Sequence, residues 1–134
     1  MTDGGSTAAV LAADETGIPA LLNWLDRRPA AARVDALIEV DDDADHLPLP
    51  ARADVSVTWL HREGPAGTTT LLLDAVAALD LAPGDLWAWA GAEASAVRAV
   101  RSHLAERGIG AQHAAMTGYW RRGVANFDHH SPEA

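Results

Sequence analysis

The order of segments along this chain predicts an α/β domain whose parallel sheet is covered by helices on both faces. Apolar, strand-like runs and segments with helical spacing follow one another from Thr7 to Thr117, with turn residues between them. The chain has 134 residues, 49% of them hydrophobic, which suits a single domain, 1–134, with its core at about 7–123 and a polar tail over 124–134.

Thr7–Ala13, TAAVLAA, reads as a short buried strand, and Asp14-Glu15-Thr16-Gly17 as the turn after it. Ile18, Leu21, Leu22 and Leu25 then fall at i, i+3, i+4 and i+7, one face of a helix. Thr16 is its expected N-cap, and Pro19 is tolerated in the first turn. Arg27-Arg28-Pro29 ends it, with cations at the carbonyl end where the macrodipole favours them. Val34–Val40 is a second strand, Asp41–Asp54 a long acidic loop, and Val55–Leu60 a third strand that runs into the loop HREGPAGTTT. Helical spacing returns at Leu72, Ala75, Val76 and Leu79. Pro83-Gly84-Asp85 makes a turn before a fourth strand, Leu86–Ala90, and Ala90-Gly91-Ala92-Glu93 reads as a tight strand-to-helix turn. The helix Glu93–Arg107 sets Val97, Val100 and Leu104 on one face and Arg98 and Arg101 on another, with Gly108 as its stop. Gln112–Thr117 is a weaker fifth strand that delivers the chain into TGYWRRG, Thr117–Gly123.

In such sheets ligands sit at the carboxyl ends of the strands. The segments DETG, HREG, GAEAS and GYWRRG are therefore expected on one edge, as parts of one site.

Composition removes several function classes. With 19 acidic against 10 basic residues the net charge is -9, which disfavours nucleic-acid binding. No stretch approaches the roughly 20 apolar residues of a membrane helix, and the start lacks the basic region of a signal peptide. The absence of cysteine excludes disulfides, thiolate metal sites and cysteine nucleophiles, and fits the cytoplasm. There is no lysine, so every fixed cation is a planar guanidinium.

The motifs are individually weak. The first turn lacks G-x-G-x-x-G and carries Asp14 and Glu15, which repel a pyrophosphate unless they point away. The plainer reading makes them helix-start charges, leaving the amides around Thr16 and Gly17 to receive a phosphate. Arg62 lies where an adenosine 2′-phosphate would be held by a bidentate guanidinium; the alternative is an exposed loop arginine. Gly91 lets a ligand ring approach the backbone, or simply makes a turn. Asp41, Asp42, Asp43, Asp45 and His46 read as a solvated loop rather than a cation site, and Asp128, His129 and His130 as part of the polar tail. Trp24, Trp59, Trp87 and Trp89 are core or inter-domain surface, with Trp87 and Trp89 on one sheet face. No nucleophile elbow or P-loop is present, so no catalytic or metal-binding residue is assigned.

Taken in chain order, AADETGIPALLNWL, VTWLHREG, AGAEASAVRAVRSHL and TGYWRRG resemble the siderophore-interacting protein family, flavin-dependent ferric-siderophore reductases related to ferredoxin–NADP reductases. The similarity runs from about Ala8 to Gly123. It implies a Rossmann-like three-layer sandwich of about five parallel strands, the type of the ferredoxin–NADP reductase C-terminal domain. The family's N-terminal FAD-binding barrel is expected to be absent. By the same resemblance, Thr16 and neighbouring amides line a pyrophosphate turn, and Arg62 meets the 2′-phosphate of NADPH. Gly91 and Glu93 border the nicotinamide, Tyr119 and Trp120 lie near the flavin edge, and Arg121 and Arg122 approach anionic ligand groups. The family usually reads GDETALP where Ala13 and Gly17 stand here.

Three functions compete. The first is an NADPH-binding module completed by a separate flavin-binding domain, with FAD supplied by that partner and a ferric siderophore reached through the complete complex. The second is a non-catalytic interaction domain or homodimer that has lost cofactor binding, favoured by Asp14, Glu15 and Ala13. An autonomous reductase using free flavin ranks last, because no flavin-cradling element is visible.

Overall fold

A computed structural model describes residues 8–27, 33–41, 55–65, 70–79, 86–110 and 114–123. The elements in order are β1 (Ala8–Asp14), a 3-10 turn (Glu15–Gly17), α1 (Ile18–Arg27), β2 (Arg33–Val40), β3 (Val55–His61), α2 (Leu71–Ala77), β4 (Leu86–Glu93), α3 (Ala94–Glu106) and β5 (Ala114–Trp120). The five strands form one parallel sheet in the order β3-β2-β1-β4-β5. The Rossmann-like three-layer architecture is thus present.

Both faces of β1 are buried, as an all-parallel central strand requires. Ala9, Leu11 and Ala13 join Ile18, Leu21, Trp24 and Leu25 of α1 on one side, together with Val34, Ala36, Ile38, Val40 and Trp87. Val10 and Ala12 join Leu72 and Val76 of α2 and Val97, Val100 and Leu104 of α3 on the other. The chain leaves β1 towards β2 and β3, then crosses back over α2 to β4 and β5. The order therefore reverses between β1 and β4, the place where open α/β sheets put their ligand sites, at the carboxyl ends of the strands. Trp87 is buried and Trp89 packs half-buried against the same cluster, so the two rings do share a sheet face.

Four local expectations shift. β4 runs to Glu93, so Gly91 lies in a strand and not in a turn; its pairing with both β1 and β5 keeps it extended. β5 starts at Ala114 and continues to Trp120, so Thr117–Trp120 belongs to the strand, Arg121 makes one further bridge, and only Arg122-Gly123 turns away. The helical spacing through Leu79 overshoots, since α2 ends at Ala77. Thr16 is not the cap: Asp14 caps the 3-10 turn by accepting from the Thr16 amide. At α3 the expected stop stands, with Gly108 at φ 87° just past its end, and Glu93 is the N-cap. The acidic residues at 42–45 with His46, the turn at 83–85 and the tail at 124–134 lie outside the described residues.

Candidate functional site

Asp14 is the last residue of β1, 3% exposed, at the point where the strand order reverses. Its Oδ1 accepts from the Thr16 amide at 2.9 Å and from the Thr16 hydroxyl. Its Oδ2 accepts from the Glu93 amide at 3.0 Å and from the Trp120 indole Nε1 at 2.8 Å. One carboxylate thus ties together the ends of β1, β4 and β5, with its acceptor positions filled by four donors. Burial pushes its pKa above the ordinary 3.8, and the hydrogen bonds from Thr16, Trp120 and Glu93 pull the other way without overcoming it.

Glu93, 3% exposed, accepts from the Ser95 and Ala96 amides at 3.0 and 3.1 Å through Oε1, and from the Arg122 amide at 3.4 Å through Oε2. It caps α3 and holds the turn after β5. The bonding here explains Trp120: Ala92 pairs with Gly118 but Glu93 pairs with Trp120, so Tyr119 is an extra, bulged residue. The bulge re-aims the end of β5, and Trp120 reaches over β4 to Asp14.

Glycines set the closeness of these parts. A Cβ on Gly17 would overlap the Gly91 carbonyl oxygen, so glycine lets the 3-10 turn lie directly on β4. A Cβ on Gly91 would meet Tyr119 Cε2 at 2.6 Å and Trp89 Cη2 at 2.8 Å, which places both rings against the Gly91 backbone. Gly118 lies under Ala94 at the start of α3, where a Cβ would stand 2.9 Å from its Cα.

Arg62 follows β3, and its amide extends the β2–β3 ladder by bonding the Val40 carbonyl at 3.0 Å. That brings its side chain beside Glu39. Nη1 donates to Glu39 Oε2 at 2.9 Å and Nη2 to Glu15 Oε2. The Arg62 side chain is 4% exposed, Glu39 7% and Glu15 37%. Burial alone would lower the Arg62 pKa, but hydrogen bonds and charge from Glu15 and Glu39 raise it above its ordinary value.

The expected residues are therefore gathered on one edge. Gly91 touches Tyr119, Trp120 reaches Asp14, Glu93 holds the Arg122 backbone, and Arg62 is tied to the turn that contains Thr16. Thr16 and Arg122 are exposed, and Tyr119, Trp120 and Arg121 half-buried. Glu39 joins them as a residue given no role in the sequence, and Asp14 and Glu15, read there as helix-start charges, prove to be acceptors for Glu93, Trp120 and Arg62. Their signals were present: a carboxylate ending an apolar strand, and a glutamate near the end of VDALIEV, both needing buried partners.

A family model described as Siderophore-interacting protein matches residues 6–123. The chain belongs to the siderophore-interacting protein family. It is 36% identical over 125 residues to an uncharacterized protein of Mycobacterium tuberculosis, a match covering 85% of this chain and 44% of that protein. It is 30% identical over 120 residues to the ferric acinetobactin reductase of Acinetobacter baumannii, covering 89% of this chain and 42% of the reductase. The crystal structure of a siderophore utilization protein from T. fusca superposes with a TM-score of 0.86 at 42% identity, covering 94% of this chain and 49% of that one. The siderophore-interacting protein of A. baumannii gives a TM-score of 0.81 at 28% identity, covering 92% and 49%. This siderophore-interacting domain thus spans about half the length of the relatives it matches.

The site's fit to a nicotinamide dinucleotide differs from one end to the other. A ribose hydroxyl fits beside Arg62, where Glu15 offers a half-exposed acceptor. A 2′-phosphate does not fit there as the residues stand: Nη2 and Nη1 each donate to a carboxylate, and with the side chain 4% exposed the remaining N–H groups, Nε among them, are buried. The Thr16 amide is held by Asp14, and the Ser95 and Ala96 amides by Glu93, so these phosphate donors are satisfied internally. Among the described residues no group of three or more His, Cys, Asp or Glu side chains is placed to hold a metal ion. Nor is any helix among them long and apolar enough to cross a membrane.

Proposed function

We propose that this domain is the nicotinamide-dinucleotide-binding half of a cytoplasmic siderophore-interacting reductase. A separate domain would hold FAD, and a ferric siderophore would be the terminal acceptor. The observation that carries the reading is the convergence of Asp14, the 3-10 turn, Gly91, Glu93 and Trp120 at the strand-order reversal. The family membership and the half-length match to a ferric acinetobactin reductase support it. A bound reduced nicotinamide would supply hydride, and the acceptor must come from outside this domain. The chain's own residues have positioning roles. Gly17 lets the 3-10 turn lie on β4, Gly91 lets the Tyr119 and Trp89 rings lie on its backbone, and Tyr119 and Trp120 form an aromatic rim. Arg121 and Arg122 add positive charge beyond the end of β5. NADPH is the nucleotide implied by the family resemblance, and its 2′-phosphate would reach Arg62 only with Glu15 displaced.

Titration of the purified chain with NADPH and with NADH, followed by calorimetry, tests the reading. Saturable binding of either, weakened at least about tenfold by Gly91→Val, is the expected result. No heat with either nucleotide at millimolar concentration would overturn it.

A second reading, an interaction domain or homodimer without cofactor, is favoured by the internally satisfied amides of Thr16, Ser95 and Ala96. Light scattering separates the two: a dimer indifferent to both nucleotides supports the second. An autonomous reductase would instead reduce a ferric chelate when free FAD and NADPH are added.

A further inference from the structure

We infer that Glu15 determines which nicotinamide dinucleotide this site takes, by holding Arg62 against a 2′-phosphate while offering its own carboxylate to a 2′-hydroxyl. The inference rests on the dinucleotide reading above and deepens it: NADH is bound at least as tightly as NADPH.

The charges set the sign. Arg62 is a single cation between two carboxylates, so the Glu15–Arg62–Glu39 cluster is net negative. Asp41 and Glu63, both exposed, stand next along the chain from the end of β2 and from Arg62, and add to the negative field at the same edge. A 2′-phosphate brings almost two further negative charges. With its side chain only 4% exposed, Arg62 can receive a phosphate at Nη2 only after Glu15 withdraws. Glu39 is too buried to be the group that yields, at 7% exposed against 37% for Glu15. Eviction therefore breaks the Glu15–Arg62 bond, a charge-assisted contact of the stronger kind. A 2′-hydroxyl demands none of this. It donates to a half-exposed carboxylate, the acidic ribose recognition that dinucleotide folds use, with the acid supplied here by the turn after β1 and not by the second strand.

Glu15→Gln keeps an oxygen acceptor for the hydroxyl and removes the charge that opposes the phosphate. In calorimetric titrations of the full chain, the wild type is expected to bind NADPH no more tightly than NADH. Glu15→Gln should tighten NADPH and weaken NADH, shifting the ratio of the two affinities towards NADPH by at least about tenfold. Glu63→Gln, the same charge change on an exposed neighbour, should move the ratio much less. A second readout follows Arg62 directly: in protein labelled with 15N-arginine, adenosine 2′-monophosphate should shift the Arg62 side-chain resonance in Glu15→Gln more than in the wild type. A wild type that prefers NADPH by tenfold overturns the inference even if the variant fails to fold. Binding of both nucleotides with a ratio unmoved by Glu15→Gln overturns it too, while leaving the dinucleotide reading intact. Binding of neither by wild type or variant removes that reading and the inference together.

Discussion

At the residue scale Asp14 shows how a carboxylate can be both fully hydrogen-bonded and hard to ionise. Its four donors come from Thr16, Glu93 and Trp120, yet desolvation keeps its pKa above 3.8. The folded state therefore retains this proton to a higher pH than the unfolded chain does. Its contribution to stability is largest below the unfolded value and declines as pH rises through the raised folded one. The stability advantage of wild type over Asp14→Ala, from denaturant melts, should accordingly shrink as pH rises above about 4. An advantage that grows with pH would mean the donors outweigh burial. At neutral pH Asp14→Ala still leaves the buried Glu93 amide without its acceptor, along with the Trp120 indole, at about 1–3 kcal/mol for each buried donor. Release of the indole should also shift tryptophan emission. Gly17 is constrained differently. Because a Cβ there would overlap backbone, the Gly91 carbonyl, Gly17→Ala should cost about 1–3 kcal/mol or more, whereas Gly123→Ala, with open space around it, pays only for its positive φ of 81°. Equal melting points for the two variants would contradict the packing of the turn on β4.

At the element scale α1 and β5 differ in how far their sequences specify them. The α1 pattern, Ile18, Leu21, Leu22 and Leu25, is local and strong, and the structure buries Ile18, Leu21 and Leu25 as that spacing demands. Leu21 is fully buried against the sheet, so Leu21→Ala should lower stability by about 2–5 kcal/mol in urea unfolding without changing the m-value. A loss under about 1 kcal/mol would place that helix face outside the core. The chain of β5 is less informative. Ala114–Trp120 alternates poorly, carries a glycine, and is half-buried at most positions, so its register depends on β4 and on Ala94 above Gly118. This is why the strand reads too early in the sequence, and why TGYWRRG reads as a turn when most of it is strand. Gly91 fails to read as strand for a related reason. Its extended state comes from pairing on both sides, which no window of sequence contains.

At the scale of the whole molecule, what the sequence conveys is the edge on which the site lies, and what it withholds is who holds whom. Strand–helix alternation suffices to send DETG, HREG and GYWRRG to one side of a parallel sheet. The pairing of Arg62 with Glu15 and Glu39, across 47 and 23 residues of chain, is a tertiary fact with no local signal. The same cluster separates two kinds of electrostatics. The net charge of -9 belongs to the molecule as a whole, and mutual repulsion of exposed carboxylates strains the compact state. Raising salt from about 10 mM to about 500 mM shortens the screening length from about 30 Å to a few ångströms, so the melting temperature should rise by a few degrees. The Arg62 guanidinium is 4% exposed and lies beyond the reach of that screening. Arg62→Met takes from the buried Glu39 carboxylate its ion pair with Nη1, at about 3 kcal/mol after allowing for the exposure of Glu15. The melting difference between wild type and Arg62→Met should therefore stay nearly constant across the same salt series. A difference that closes as salt is added would show the guanidinium to be in contact with solvent ions, and would return Arg62 to the role of an exposed cation open to a phosphate.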